Sequence, residues 1–382
     1  MSSSYDAIVI GVGSMGSAAC YYLSKRGYKV LGLEQFNIGH EFGSHAGQSR
    51  IIRKAYFENS AYVPLLHRAY ENWHALEEET ATQLYFRTGL VYFGDPHHPL
   101  MEGVKESASL YNVTLERISE GNLPFGTFEL PKQFETLWEP DAGFVTPERA
   151  IQLYVQQALS NGARIYTDEK VREWKKDGTG MTVITDKQKY HSKKLIITVG
   201  AWAKKMMPSL SNKLKITRQF VAWIRPRQWD KFTFGNFPCW MIADDKKPGC
   251  YYGFPIVPGD FGGPPGLKLA HHYPARETDP DNVDRYIHKD DEADLKYVLD
   301  KYLPGVFESF ASYKICLYAN SPDEDFIIDH LPDFDKNVAV ACGFSGHGFK
   351  FSSVVGEILA DLAIEGTTKL PIDFLSVKRL SV

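Results

Sequence analysis

Four groups of residues have types and spacing that could do chemistry. The first is Gly11, Gly13 and Gly16, spaced G-x-G-x-x-G. An apolar run over residues 7–10 leads into it, and helix-compatible residues 17–26 follow, with Gly27 as a stop. The first glycine permits a tight turn, the second lets backbone approach a pyrophosphate, and the third lets helix pack on strand. A second strand over residues 28–33 ends at Glu34, the distance at which an acid accepts from ribose hydroxyls. These residues predict a bound dinucleotide and do not choose between a nicotinamide and a flavin.

The second group is Arg50, Arg53 and Lys54, after a loop of small residues from Gly39 to Ser49. Charge alone reads as a solvated basic turn. The apolar neighbours Ile51 and Ile52 favour an anion-binding pair beside a partly buried site. The third group is two lone residues in apolar strands. Lys268 lies between Leu267 and Leu269, and alternation predicts that it faces outward. Cys316 lies between Ile315 and Leu317, where a small buried hydrophobe is the ordinary reading. The fourth is the loop Gly343-Phe344-Ser345-Gly346-His347-Gly348-Phe349-Lys350, between a strand over 338–341 and a helix over 354–364. A lysine at a helix start is disfavoured by the dipole, so Lys350 calls for a reason other than solvation.

The elements that must position these groups are legible in outline. Residues 61–79 read as a helix with Leu65, Ala69, Trp73 and Leu76 inward. Segments 84–94 and 135–145 are aromatic-rich and strand-like. Thr146 and Pro147 start a helix with Ile151, Tyr154, Val155, Ala158 and Leu159 as its buried stripe, ended by Asn161-Gly162. Strands are expected over 163–166 and 194–199, the latter running into Gly200-Ala201-Trp202. Residues 216–224, 240–243, 251–256 and 267–273 read as an antiparallel meander. A helix over 290–302 stops before Pro304 with Leu295, Val298, Leu299 and Tyr302 inward, and residues 313–318 form another strand. The fold expected is α/β: a Rossmann-type dinucleotide domain of residues 1–83, 146–213 and 317–382. A largely antiparallel-sheet substrate domain of 84–145 and 214–316 is interleaved with it. A chain that closes on a glycine-rich loop at a helix N-terminus suits a flavin, whose reduced ring carries negative charge.

Composition excludes other classes. The formal charge of −4 gives no basic field for nucleic acid. No apolar run approaches the roughly 20 residues that span a bilayer. Residues 1–4 lack the regions of a signal peptide, and residues 379–382 are not a Ser-Lys-Leu address. Cys20, Cys239, Cys250, Cys316 and Cys342 are scattered, with no C-x-x-C pair, which predicts a reducing cytoplasm, no disulfide framework and no metal site.

The chain resembles the monomeric sarcosine oxidase family, with N-methyltryptophan oxidase and pipecolate oxidase. The resemblance is carried by residues 8–16; Gly43-Ser44-His45; Ser49-Arg50-Ile51-Ile52-Arg53-Lys54-Ala55-Tyr56; Tyr251-Tyr252-Gly253-Phe254-Pro255; Gly266-Leu267-Lys268-Leu269; Cys316-Leu317-Tyr318; and the loop Gly343 to Lys350. It covers nearly the whole chain and implies a monomeric flavoprotein oxidase acting on a small secondary amino acid and O₂. It implies FAD held by Gly11, Gly13, Ser14, Met15, Gly16, Glu34, Gln35, Ser44, His45, Arg50 and Ile51. Further along the cofactor it implies Val171, Gly200, Trp202, Gly343, Ser345, Gly346, Gly348 and Lys350. Cys316 matches the cysteine that forms a thioether to the flavin. Arg53 and Lys350 would hold the substrate carboxylate. Lys268 would lie over the flavin and promote its reaction with O₂, and Arg50, Tyr252, His272 and Tyr318 would line the reacting site. Ala46 stands where sarcosine-specific members often carry a second histidine, and pipecolate-type relatives match residues 47–56 at least as well. Sarcosine, N-methyltryptophan and pipecolate therefore all remain open as substrates. An NAD-dependent dehydrogenase is the competing enzyme class, and a non-catalytic flavin-binding protein the competing non-enzyme.

Overall fold

The computed structural model describes residues 4–119, 127–273 and 275–380. Residues 1–3 and 381–382, part of what was read for a leader and a terminal address, lie outside them. The first strand, Ser4–Ile10, starts earlier than the apolar run and occupies the middle of a mixed sheet. It pairs in parallel with Val30–Leu33 on one side and Lys189–Ile197 on the other. Arg164–Tyr166 extends the parallel set beyond Val30–Leu33, and Val338–Cys342 extends it beyond the second half of Lys189–Ile197. The first half of Lys189–Ile197 instead pairs antiparallel with Gly180–Thr185, which carries Val171–Asp177 at its edge.

Both faces of this sheet are covered, so its central strands are continuously apolar. Ala7 and Val9 point into one core, with Ala18, Ala19, Ile151, Val355 and Ile358 from the helices Ser14–Lys25, Pro147–Ser160 and Ser352–Glu365. Ile8 and Ile10 point into the other, with Leu31, Leu195, Val340 and Met181. The helices approach closely because their contacts are small: a Cβ on Gly356 would lie 2.4 Å from that of Ala18.

The second sheet runs in the order Phe307–Asn320, Lys215–Pro226, Leu267–His272, Cys250–Phe254, Cys239–Ile242, Leu90–Gly94, Glu135–Glu139, Glu116–Arg117. The expected meander holds for its last three strands only. Lys215–Pro226 pairs with Leu267–His272 and Phe307–Asn320, not with its sequence neighbour Cys239–Ile242, which pairs in parallel with Leu90–Gly94. Period-two alternation reports a strand's faces and says nothing about which strand lies beside it. The helix Lys289–Tyr302 covers this sheet with Leu295, Val298, Leu299 and Tyr302, as its stripe predicts.

Other expectations need correction. The first helix is Ser14–Lys25, three residues earlier than the apolar pattern, because Gly13 is its N-cap. Thr146 precedes the helix Pro147–Ser160 but makes no side-chain cap; its hydroxyl faces the Leu84 carbonyl. Leu159 is 48% exposed, since the inward arc closes at Ala158. The helices Val63–Thr80 and Pro99–Tyr111 flank the small sheet Arg50–Ile52, Gly143–Val145, Tyr85–Phe86; only the first was foreseen. That small sheet joins segments assigned to different expected domains, and the cut drawn at 316/317 falls inside Phe307–Asn320. All five cysteines are free and buried, and among the described residues no helix is long and apolar enough to cross a membrane.

The third glycine of the first motif is set by sterics. A Cβ on Gly16 would stand 1.8 Å from the Gly11 carbonyl oxygen and 2.6 Å from Thr198 Oγ1, which itself donates to that carbonyl at 2.7 Å. Gly16→Ala is expected to lower stability by about 3 kcal/mol through overpacking, measured by denaturant unfolding of the cofactor-free protein.

Candidate functional site

A cavity of about 780 Å³ lies between the two sheets. Gly11, Gly13, Ser14 and Met15 line it at the N-terminus of Ser14–Lys25, where free backbone N–H groups and the helix dipole favour an anion. A Cβ on Gly13 would meet nothing within 4 Å, so the cavity is open above this turn. Glu34, at the end of Val30–Leu33, is buried and also lines it. Its Oε2 accepts from Val12 N at 2.8 Å and its Oε1 from Phe36 N at 3.1 Å. Burial raises the carboxyl, and these N–H bonds counter it. Each oxygen keeps a lone pair for a diol. Gln35, Val171, Gly200 and Trp202 continue the wall.

His45 is buried against the cavity and its Nε2 has no hydrogen-bond partner among the described residues. Burial pushes its imidazole down to about 4, so it is neutral. An orphaned buried nitrogen facing an open cavity fits a group that supplies the missing partner. With the open turn at Gly13 and the free lone pairs of Glu34, it fits a bound dinucleotide.

Arg50 begins the short strand Arg50–Ile52. Its guanidinium donates to the carbonyls of Ser44, Ala46 and Ser49 at 2.9, 2.6 and 2.9 Å, and Nη2 stands 3.8 Å from Cys316 Sγ. Cys316, Ser44 and Ile51 all line the cavity. Tyr252 comes from Cys250–Phe254, His272 from Leu267–His272 and Tyr318 from Phe307–Asn320, and all three face the same space. His272 Nδ1 is 3.1 Å from the Tyr318 hydroxyl. Burial holds His272 down to about 4 and raises both tyrosines, so all three are neutral at neutral pH.

Arg53 and Lys350 meet in the wall, but Arg53 is not free. Its Nη2 donates to both oxygens of Glu58 at 2.6 Å, and Nη1 to the Ala55 carbonyl at 2.8 Å. A buried guanidinium needs a counter-ion, and the sequence reading omitted it. Burial alone would raise the Glu58 carboxyl, yet Arg53, His347 and Lys350 hold it down at about 2. Lys350 Nζ donates to the His347 carbonyl at 2.7 Å. Burial pulls its ammonium down to about 7, Arg53 adds to the effect and Glu58 opposes it.

Three expected site residues do not line the cavity. Gly16 and Ser345 act behind it: Gly16 packs helix on turn, and the Ser345 hydroxyl donates to the Gly343 carbonyl and accepts from Ser321 N. Lys268 is the larger correction. It points away from Leu267 and Leu269, as alternation requires, but that face of the strand is covered too, so the side chain is buried behind the loop Gly47–Ser49 and is neither exposed nor over open space. Its Nζ donates to the carbonyls of Gly47 and Ser49, each at 2.6 Å, and sits 4.3 Å from the Phe254 ring centroid. Burial, followed by Arg50, lowers its pKa well below that of an ordinary lysine. Gly343, Gly346 and Gly348 line the cavity, and a Cβ on Gly346 would stand 2.2 Å from the Tyr318 ring. Sequence reasoning missed Glu58, Tyr56, His347 and Glu148 as site residues. An acid five positions after Arg53, beside Tyr56 and Phe57, was the signal for Glu58.

A model of the family described as FAD dependent oxidoreductase matches residues 6–362. The chain is 37% identical to a monomeric sarcosine oxidase of Bacillus sp. (strain NS-129), covering 99% of this chain and 98% of that one. It is 33% identical to an N-methyl-L-tryptophan oxidase of Salmonella heidelberg (strain SL476), covering 99% of each. Among solved structures it superposes on NikD, an unusual amino acid oxidase essential for nikkomycin biosynthesis, with a TM-score of 0.85, 24% identity and coverage of 98% and 97%. It superposes on an L-proline dehydrogenase from P. horikoshii with a TM-score of 0.84 and 22% identity, covering 100% of this chain and 99% of that one. At these identities the structural likenesses establish the fold.

Lys350 yields a test that needs no turnover. A lysine near 7 is charged below that pH and neutral above it, and an anion binds the charged form. A small carboxylate without an amine is expected to bind about tenfold more weakly per pH unit above about 7. His272, near 4, and His347, near 3, do not titrate in that window. Lys350→Met is expected to weaken binding about 10- to 100-fold at pH 6 and to flatten the pH slope, both read by equilibrium titration.

Proposed function

The chain belongs to the FAD-dependent oxidoreductase family, and from that premise we propose that it oxidises the C–N bond of a secondary, N-methyl amino acid with O₂ as electron acceptor. The nicotinamide dehydrogenase alternative falls with the family assignment. One observation carries the substrate class: Arg53 and Lys350 converge in the wall of the cavity that also holds Arg50, Cys316 and the glycine turn. A carboxylate is the anion that a guanidinium fork and an ammonium would orient together.

Gly11 to Met15, Glu34, Gln35, Ser44, His45, Val171, Gly200 and Trp202 would hold FAD along its nucleotide part. Arg50, Ile51, Cys316, Gly343, Gly346 and Gly348 would hold its ring. When bound, FAD would supply a two-electron acceptor for a hydride equivalent from the carbon next to nitrogen and a route for both electrons to O₂, with hydrogen peroxide as the product. Arg53 and Lys350 orient the carboxylate and so fix which carbon faces the cofactor. Lys350 uses one N–H on the His347 carbonyl and keeps two for the ligand. Neutral His272 and Tyr318 offer hydrogen bonds without adding charge. Lys268 contributes a buried donor held to the Gly47 and Ser49 carbonyls, and moving it toward O₂ requires that loop to yield. The imine product hydrolyses with water; for sarcosine this gives glycine and formaldehyde.

We assign residues 1–83, 146–213 and 317–382 to FAD binding and 84–145 and 214–316 to the substrate side, with the strand Phe307–Asn320 running across the last boundary and the small sheet at Arg50–Ile52 as their joint. A monomer accords with relatives named monomeric, and a cytoplasmic setting with five unpaired cysteines. Cys316, lining the cavity 3.8 Å from Arg50, is the proposed thioether link to the flavin.

In a panel of sarcosine, N-methyltryptophan, pipecolate and proline, peroxide release is expected, fastest with sarcosine. Release with none of the four would sink the substrate class, and a faster bulky or cyclic member would replace the first choice. Acid precipitation is expected to leave the yellow colour in the pellet, and in the supernatant for Cys316→Ala. Colour in the supernatant for the unaltered protein would remove the covalent link.

A further inference from the structure

One aromatic ring lies beneath both cations of the carboxylate-binding wall. The guanidinium carbon of Arg53 is 4.3 Å from the centroid of the Tyr56 ring, and Lys350 Nζ is 5.2 Å from the same centroid. Two like charges repel, while a shared aromatic ring attracts each of them. Where that ring stands therefore helps to set how far apart the cations stand.

Tyr56 is buried, and its hydroxyl meets Nδ1 of His347. The other ring nitrogen, Nε2, is 3.1 Å from the Glu324 carbonyl. A carbonyl only accepts, so Nε2 carries the proton. Burial pushes His347 down to about 3, which leaves the ring neutral and makes Nδ1 an acceptor. The Tyr56 hydroxyl is then the donor. The Glu324 carbonyl lies in a turn whose neighbours are held by Arg379, which donates to the Asp323 carboxylate and the Asp325 carbonyl. The His347 main-chain carbonyl also accepts from Lys350 Nζ. One residue thus holds the ring under Arg53 by its side chain and the ammonium of Lys350 by its backbone.

We propose that His347 is a positioning residue for carboxylate binding, fixing the spacing of Arg53 and Lys350 through the Tyr56 hydroxyl. The proposal rests on the reading of those two cations as carboxylate anchors.

The test uses the holoenzyme and methoxyacetate, a carboxylate with no oxidisable amine, with Kd read from the change in flavin absorbance. Tyr56→Phe keeps the ring and removes the hydroxyl. His347→Phe keeps an aromatic beside Tyr62 and Phe326 and removes both nitrogens. Each single variant orphans a buried partner and lowers thermal stability, and the double variant recovers part of that loss. Kd is expected to rise about tenfold in each single variant and to stay about tenfold raised in the double variant. With substrate, KM should follow Kd while kcat changes less than twofold. Unchanged Kd in the single variants overturns the proposal. So does a Kd that recovers together with stability, which marks a structural role, or a roughly hundredfold rise in the double variant, which marks independent effects. Lys350→Met separates the two layers. If it leaves Kd unaltered, the carboxylate reading fails. If it weakens binding while the Tyr56 and His347 variants do not, only the positioning role fails.

Discussion

Burying a cation without compensation costs several kcal/mol, and four cations stand in or behind the wall of this cavity: Arg53, Lys268 and Lys350, all buried, and the half-buried Arg50. Among the described residues, only Arg53 of these four has a carboxylate in contact, from Glu58. The other three are satisfied mainly by backbone carbonyls. Arg50 takes those of Ser44, Ala46 and Ser49; Lys268 takes those of Gly47 and Ser49; Lys350 takes that of His347. Carbonyls can face inward only if the chain turns unusually. Gly47 has a φ of +120° and Gln48 one of +70°, and their N–H groups point the other way, onto Glu148. The loop from Ser44 to Ser49 is therefore built between a carboxylate on one side and two cations on the other.

This constraint explains how distant parts of the chain come to share one site. Glu148 starts the helix Pro147–Ser160, Lys268 sits on Leu267–His272, and Cys316 on Phe307–Asn320. Each reaches the same loop. The small sheet at Arg50–Ile52 then carries that loop from the parallel sheet toward the antiparallel one. The positive charge left over by carbonyl pairing is what makes the cavity receptive to an anion. Burial is the main reason that Lys350 is drawn down to about 7, with Arg53 adding to the effect and Glu58 opposing it.

Much of the fold was legible because it follows local rules. Helical stripes such as Leu65, Ala69, Trp73 and Leu76 are periodic, and the glycine turn before Ser14–Lys25 is a matter of sterics. Pairing partners were not legible. Nothing in Lys215–Pro226 says that it lies between Leu267–His272 and Phe307–Asn320, because hydrogen-bond partners are chosen by the whole sheet. The site divided in the same way. The glycines and most cations of these motifs were foreseen, whereas Tyr56 and His347, inside the same motifs, and Glu58 and Glu148, outside them, matter through contacts that the sequence does not display.

By itself the sequence determined a strand, a glycine turn and a helix N-terminus in succession, an arrangement that suits a pyrophosphate, because that needs only neighbouring residues and the absence of Cβ atoms. It also marked Arg50, Arg53, Lys268, Cys316 and Lys350 as unusual for their surroundings, and a resemblance gave them expected roles. Tertiary structure alone decided their states. It covered the second face of the strand and so buried Lys268, paired Arg53 with Glu58, and brought Lys350 down to about 7. It also placed one tyrosine under two cations. The reason is physical: charge state and orientation depend on burial and on partners far apart in sequence, and both come into being only when the two sheets close over the cavity.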